Sequence, residues 1–172
     1  NNPVRIVVGG PPHSGKSTLM NLIEDKMNQY GVSVELRDLD FSAPTDLKGG
    51  FDQNREKRDW TPELAEEAAT YFDEDSENRV ILGDSIGLIS RINEIVSEPA
   101  DVAILLVSGS QGDDDRTYRD AIKKWMQYYD DIDKPVLMVI RSSMNPEDMN
   151  YFDPHDNYGV IVGLDRNAYN QG

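Results

Sequence analysis

The chain has 172 residues and carries 17 Lys and Arg against 32 Asp and Glu, a formal net charge of −15. A surface this acidic repels nucleic-acid backbone and anionic membranes in general, and suits a salty cytoplasm or plain solubility equally well. Cysteine is absent, which excludes disulfides, thiolate zinc sites and thiol catalysis, and no apolar run approaches the ~18 residues of a membrane span.

Length predicts one domain over residues 1–172, large enough to bury about two-thirds of its extended surface. No signal peptide pattern is visible, so a cytoplasmic location is the expectation. The chain begins at Asn1 rather than Met, as a processed chain or a piece of a longer protein would.

Val4, Ile6, Val7 and Val8 predict a short buried strand. Gly10-Pro-Pro-His-Ser-Gly15-Lys16-Ser17 then fits G-x-x-x-x-G-K-[ST], with that strand before it and a helical pattern after it. A polyphosphate needs several converging N–H donors, and a loop entering a helix N-terminus supplies them along with the positive end of the helix dipole. Gly10 and Gly15 supply turn conformations. Pro11 and Pro12 have no N–H, so the donors fall to His13, Ser14, Gly15, Lys16, Ser17 and Thr18. Lys16 is expected to reach the β/γ-phosphates and Ser17 to ligate Mg²⁺. The alternative is a glycine-rich strand-to-helix turn with a chance Lys-Ser.

Leu19, Leu22, Ile23, Met27 and Tyr30 recur at helical spacing, which predicts a helix from Lys16 to Tyr30 capped by Gly31. A second strand over Val32–Leu39 ends in Asp38-Leu39-Asp40. Carboxylates two apart on a strand share a face, where they would orient Mg²⁺ or accept a proton from a hydroxyl nucleophile. This segment resembles the Asp-x-Asp that follows the second strand of small-molecule P-loop kinases such as the shikimate and adenylylsulfate kinases. The two acids are equally readable as the start of a turn.

Residues 42–60 lack apolar period and hold Arg55, Lys57 and Arg58, a basic flap against an anionic substrate or a solvated face. Thr61 and Pro62 open a helix whose stripe is Leu64, Ala65, Ala68, Ala69 and Phe72. Val80–Leu82 predicts a third strand running into Asp84-Ser-Ile-Gly87, and Ile89, Ile92, Ile95 and Val96 a helix after it. Asp84 ends an apolar strand, where a carboxylate holds Mg²⁺ directly or through water. Gly87 completes an Asp-x-x-Gly pattern whose glycine N–H senses a γ-phosphate. The alternative for Asp84 is a helix cap. No Glu follows it, so the Asp-Glu pair of hydrolytic AAA-like ATPases is missing, which favours the kinase/GTPase branch.

Val102–Val107 is a continuous apolar run of the kind parallel sheets bury on both faces. A helix follows with the stripe Tyr118, Ile122, Trp125, Met126 and Tyr129. At its start, Arg116 and Arg119 are candidate lid arginines that neutralise transferring phosphate, or partners of Asp113–Asp115. Val136–Ile140 predicts a fifth strand, Asn145-Pro146-Glu147 a short helix and Val160–Leu164 a sixth strand. The fifth strand runs into Arg141-Ser-Ser rather than the Asn-Lys-x-Asp that reads guanine, so ATP is the expected nucleotide. Arg141 and Asp165-Arg166-Asn167 are candidates to line its base. His155 is read as a loop residue.

Strands alternating with helices predict an α/β, three-layer, doubly wound P-loop fold with a mainly parallel sheet of five to six strands. In open α/β sheets the ligand sits beyond the C-terminal strand ends, where these candidates gather. The string Val7-Val-Gly-Gly-Pro-Pro-His-Ser-Gly-Lys-Ser17, with Asp84-x-x-Gly87 and Ala100–Leu106, resembles the AAA-labelled P-loop domain fused to cyclic-oligoadenylate ring nucleases in some type III CRISPR systems. The resemblance covers roughly residues 4–140 and implies Lys16 and Ser17 as nucleotide and Mg²⁺ contacts and Asp84 as the metal-side acid. A fused domain or protein partner is implied with it.

Three functions are compatible with these residues. One is a Mg²⁺-dependent ATP-binding NTPase in which Lys16, Asp84, Asp40 and Arg116 carry the chemistry and Ser17, Asp84 and Asp38 face the metal. Another is a small-molecule or nucleoside kinase with Asp38 or Asp40 at the acceptor hydroxyl. The third is a non-catalytic sensor in which ATP orders residues 42–60.

Overall fold

The computed structural model describes residues 2–12, 14–42, 58–109 and 115–164, the side chains of 115–117 excepted. Among the described residues seven strands form one sheet: β1 (Val4–Gly9), β2 (Val34–Asp38), β3 (Val80–Asp84), β4 (Val102–Ser108), β5 (Val136–Ser143), β6 (Tyr151–Asp153) and β7 (Tyr158–Val162). Their order is β2-β3-β1-β4-β5-β7-β6. All neighbours are parallel except β6, which runs antiparallel to β7 at the edge. The helices are α1 (Lys16–Gln29), α2 (Pro62–Asp73), α3 (Arg91–Ser97) and α4 (Asp115–Asp131).

The central strands are apolar on both sides because helices cover both faces. On one face α1 presses Leu19, Met20, Leu22 and Ile23 against Ile6, Val8, Leu82 and Leu106. On the other, Ala65, Ala68 and Phe72 of α2, Val96 of α3, and Trp125, Tyr128 and Tyr129 of α4 pack on Val7, Ile81, Leu105 and Val107. This is the expected doubly wound α/β architecture. Among the described residues no helix is long and apolar enough to cross a membrane.

The α2 N-terminus forms as its sequence predicts: Thr61 Oγ1 accepts from the Leu64 N–H at 3.1 Å and Pro62 takes the first helical position. Its C-terminus has no basic residue of its own. Two buried arginines from the sheet satisfy the exposed carbonyls instead. Arg5 of β1 donates to Phe72, Asp73 and Glu74, and Arg37 of β2 donates to Tyr71, Phe72, Glu74 and Asp75. They supply the donors and positive charge that a helix C-terminus needs.

Four expectations are corrected. The sheet has seven strands, because Tyr151–Asp153 adds an antiparallel edge. No helix forms at Asn145-Pro146-Glu147: Asn145 Oδ1 accepts from the Glu147 N–H and Ser143 Oγ from the Asn145 N–H, local bonds that favour a turn over a helix. Tyr30 lies outside the stripe of α1, 86% exposed, because the helix ends at Gln29 and Gly31 turns the chain at φ 79°. In α4, Tyr128 is buried and Met126 is not. Strand boundaries otherwise shift by a few residues: β2 starts at Val34 and β7 spans Tyr158–Val162.

Candidate functional site

The segment between β1 and α1 is shaped by its glycines. Gly10 has φ 135°, and a Cβ there would lie 1.9 Å from the Leu106 carbonyl oxygen. Gly15 has φ 93° and caps α1 without a side chain. The first turn of α1 holds no acid, so nothing on the helix competes for its N-terminal amides. Ser14 Oγ donates to the Pro11 carbonyl at 2.8 Å. Lys16 Nζ donates to the Gly10 and Pro11 carbonyls at 3.2 and 3.1 Å, so the loop folds around its own lysine.

Pairing of β3 directly with β1 brings the second half of the site to the first. Val8 is the register partner of Asp84 on one side, and Asp38 of β2 is its partner on the other. Ser17 Oγ donates to Asp84 Oδ2 at 2.7 Å. Lys16, Asp38 and Asp84 are all buried. Burial pushes the Asp84 carboxyl up from 3.8 to about 7, and the charges of Asp38 and Asp40 add to this against the Ser17 hydrogen bond and the Lys16 charge. Burial pushes the Lys16 ammonium down, opposed by Asp84 and Asp40. Asp38 Oδ1 accepts from the Asp40 N–H, and Asp40 Oδ1 from the Ser42 N–H. Both acids therefore stand beside Asp84 while also building the turn after β2. Among the described residues no three His, Asp or Glu side chains form a metal cage by themselves.

Gly87 abuts the loop closely: a Cβ on it would come within 2.5 Å of Pro12 N. Thr18 is buried in the first turn of α1. Gly10, Ser14, Gly15, Lys16, Ser17, Thr18, Asp38, Asp40, Asp84 and Gly87 are thus gathered at one edge of the sheet. Arg141 is not among them. It lies within β5, two strands from β1, and its Nη1 donates to the Gly109 carbonyl at 2.8 Å and its Nε to Tyr158 Oη at 3.2 Å. Its guanidinium stands 5.0 Å over the Tyr118 ring of α4. Arg119 is exposed on α4, and exposed Arg58 faces Glu67 at 3.5 Å. His13, Arg55, Lys57, Asp165, Arg166, Asn167 and the Arg116 side chain lie outside the described residues.

Two residues at the site escape a reading by motif. Asn93 of α3 is fully buried and donates through Nδ2 to the Ile86 and Leu88 carbonyls at 3.2 and 3.1 Å. Its signal is a polar residue inside the apolar period 89, 92, 95, 96. Tyr129 of α4 sits under the loop, its hydroxyl 1.7 Å from where a Cβ on Gly9 would be. The matching signal is a glycine that the phosphate-loop pattern does not require.

No family model matches the chain, and no curated protein matches it. Solved structures do. A plasmid partition protein from Borrelia burgdorferi bound to AMPPNP superposes with a TM-score of 0.65 at 12% identity, over 100% of this chain and 91% of that one. The septum site-determining protein MinD of Pyrococcus horikoshii, complexed with Mg-ADP, gives 0.56 at 15% identity, over 81% of this chain and 70% of that one. The signal recognition particle receptor FtsY of Elizabethkingia anophelis gives 0.51 at 15% identity, over 83% of this chain. The chain spans about half the length of that FtsY chain, 51% of it. The fold is that of P-loop NTPases, with the phosphate-loop sequence at the position in the fold where β1 passes into α1.

Proposed function

We propose that the chain is a Mg²⁺-dependent, ATP-binding P-loop NTPase. The observation that carries this reading is the 2.7 Å hydrogen bond from Ser17 to Asp84, made at the start of α1 beside Lys16. A hydroxyl that donates to a carboxylate keeps lone pairs for a cation, so Ser17 and Asp84 fit a small hard ion whose remaining ligands are phosphate oxygens and water. Bound Mg²⁺ would neutralise charge on the β/γ-phosphate oxygens. Lys16 would exchange two neutral carbonyls for a phosphate oxygen, a charge-assisted bond roughly twice as strong. The amides of residues 14–18 would hold the phosphates from the helix end. Catalysis would rest on position and charge. The AMPPNP and Mg-ADP in the similar structures support this choice of ligand.

A second reading, a small-molecule kinase, is favoured by one observation: Asp38 and Asp40 both act on the Asp84 carboxyl from the neighbouring strand end. Either would then take the proton of an acceptor hydroxyl. A place in a type III CRISPR system rests on the Val7–Ser17 string with Asp84-x-x-Gly87 and Ala100–Leu106, and the similar solved structures lend it no support. The sensor reading turns on residues 42–60, most of them outside the described residues.

Nucleotide turnover tests the proposal, measured with Mg²⁺ and with excess chelator on wild type and Ser17→Ala. Phosphate release that needs the metal and falls at least tenfold in the variant supports an NTPase. ADP formed only when a hydroxyl acceptor is added moves the assignment to a kinase. Turnover that ignores both chelator and substitution contradicts the proposal.

A further inference from the structure

Asn93 is a costly residue where it stands. Position 93 lies between Ile89, Ile92 and Val96 on the buried side of a seven-residue helix, and Asn93 is 0% exposed. An aliphatic side chain would fill that space without the cost of burying an amide. The amide is instead fully engaged. Nδ2 donates to the Ile86 and Leu88 carbonyls at 3.2 and 3.1 Å, and Oδ1 accepts from Ser97 Oγ at 3.1 Å. Ser97 is also fully buried and lies one turn further along α3. The Asn93 backbone N–H is taken by the Ser90 cap at 3.2 Å.

The two carbonyls that Asn93 grips flank Gly87. In a trans peptide the C=O of one residue and the N–H of the next point in opposite directions, and the chain has no cis peptide among its described residues. Pinning the Ile86 carbonyl toward α3 therefore aims the Gly87 N–H away from α3. That N–H has no acceptor among the described residues. Pro12 of the phosphate loop lies against Gly87, so the residue whose preceding carbonyl is pinned toward α3 is itself packed on the loop. The single Ser85 hydroxyl proton is shared between the Val8 carbonyl at 3.1 Å and, more weakly, the same Ile86 carbonyl at 3.4 Å.

We infer that Asn93, buttressed by Ser97, is the positioning residue that aims the Gly87 amide at the terminal phosphate of a bound nucleoside triphosphate. The inference rests on the proposed nucleotide function and adds to it the element that separates a triphosphate from a diphosphate. Asn93 touches neither ligand nor metal; it acts through the Ile86–Gly87 peptide. A residue that merely stabilised α3 would weaken ATP and ADP binding alike. One that aims an amide at the γ-phosphate weakens ATP binding only.

The test is titration calorimetry of wild type, Asn93→Ala and Ser97→Ala with ATP and with ADP, each in Mg²⁺, alongside melting curves. Loss of one oriented hydrogen bond predicts a roughly tenfold fall in ATP affinity for Asn93→Ala, with ADP affinity within about twofold of wild type. Ser97→Ala should move the same ratio by less, and the double variant should be no worse than Asn93→Ala. Should Asn93→Ala melt below the titration temperature, Ser97→Ala carries the test. An unchanged ATP-to-ADP affinity ratio overturns the inference, whether both affinities fall together or neither falls. A wild type that binds neither nucleotide overturns the nucleotide reading itself, a result distinct from variants that match a binding wild type.

Discussion

Ser17 in the first turn of α1 and Asp84 at the end of β3 are 67 residues apart in sequence and joined by a 2.7 Å hydrogen bond. The direct pairing of β3 with β1 makes this contact, and burial at the same place raises the Asp84 carboxyl, with Asp38 and Asp40 adding to it and the Ser17 hydrogen bond and Lys16 opposing it. The folded value of Asp84 is about 7 against an ordinary 3.8. A raised carboxyl favours the folded state while protonated, fully so below its unfolded value. That contribution is lost as pH rises through the folded value, and the displacement corresponds to on the order of 4 kcal/mol. Asp84→Asn keeps an acceptor for Ser17 and removes the charge. The expected result in denaturant melts without nucleotide is a variant close to wild type at pH 4 and clearly more stable at pH 8. A difference that does not vary with pH would show that Asp84 is not the group responsible.

Arg37 is 3% exposed and donates to four carbonyls at the end of α2. Its removal leaves those groups buried and short of donors. Arg37→Ala should cost roughly 3 kcal/mol or more, and Arg37→Lys should recover little of it, because one ammonium cannot span a fork of four acceptors. Urea denaturation of the two variants checks this. Near-wild-type stability for the alanine variant would mean that Arg5 alone completes the cap.

Gly9 and Tyr129 make a paired prediction. A Cβ at Gly9 meets the Tyr129 hydroxyl at 1.7 Å and the ring carbon Cζ at 2.9 Å, so Gly9→Ala should destabilise by about 1–3 kcal/mol. Among the described residues the buried Tyr129 hydroxyl makes no hydrogen bond of good geometry, Ser85 being the polar side chain that acts on it. Tyr129→Phe should therefore be neutral or mildly stabilising, unlike most buried tyrosine truncations. Tyr129→Leu should relieve Gly9→Ala in part. Thermal melts of the single and double variants read the coupling, and strict additivity would rule out the steric link.

The legible parts of this chain are those that local chemistry decides. The Gly10–Ser17 spacing, the Thr61-Pro62 helix start and the apolar run at Val102–Val107 each announce their structure over a few residues, and each forms as read. Asp84 is legible as a strand-ending acid, and the structure sets it beside Ser17. The misreadings have other causes. Asn145 and Ser143 spend their side chains on a turn that resembles a helix start in sequence. The three residues of β6 are too few to show a period. Arg5, Arg37 and Tyr129 act on partners 34 to 120 positions away, which no local pattern records, and Asn93 reaches back to the Ile86 and Leu88 carbonyls outside its own helix. Arg141 stands over Tyr118 of α4, a contact the sequence does not show, because which face a side chain takes depends on register set by the neighbouring strands.

The central claim is that Lys16, now bonded to Gly10 and Pro11, turns to the phosphates of a nucleotide. Calorimetric titration of Mg-ATP into wild type and Lys16→Ala addresses it most directly, with melting curves to show that both proteins are folded. The expected result is saturable one-to-one binding by wild type and at least a hundredfold weaker binding, about 2.7 kcal/mol, by the variant. Equal affinity in two folded proteins would contradict it.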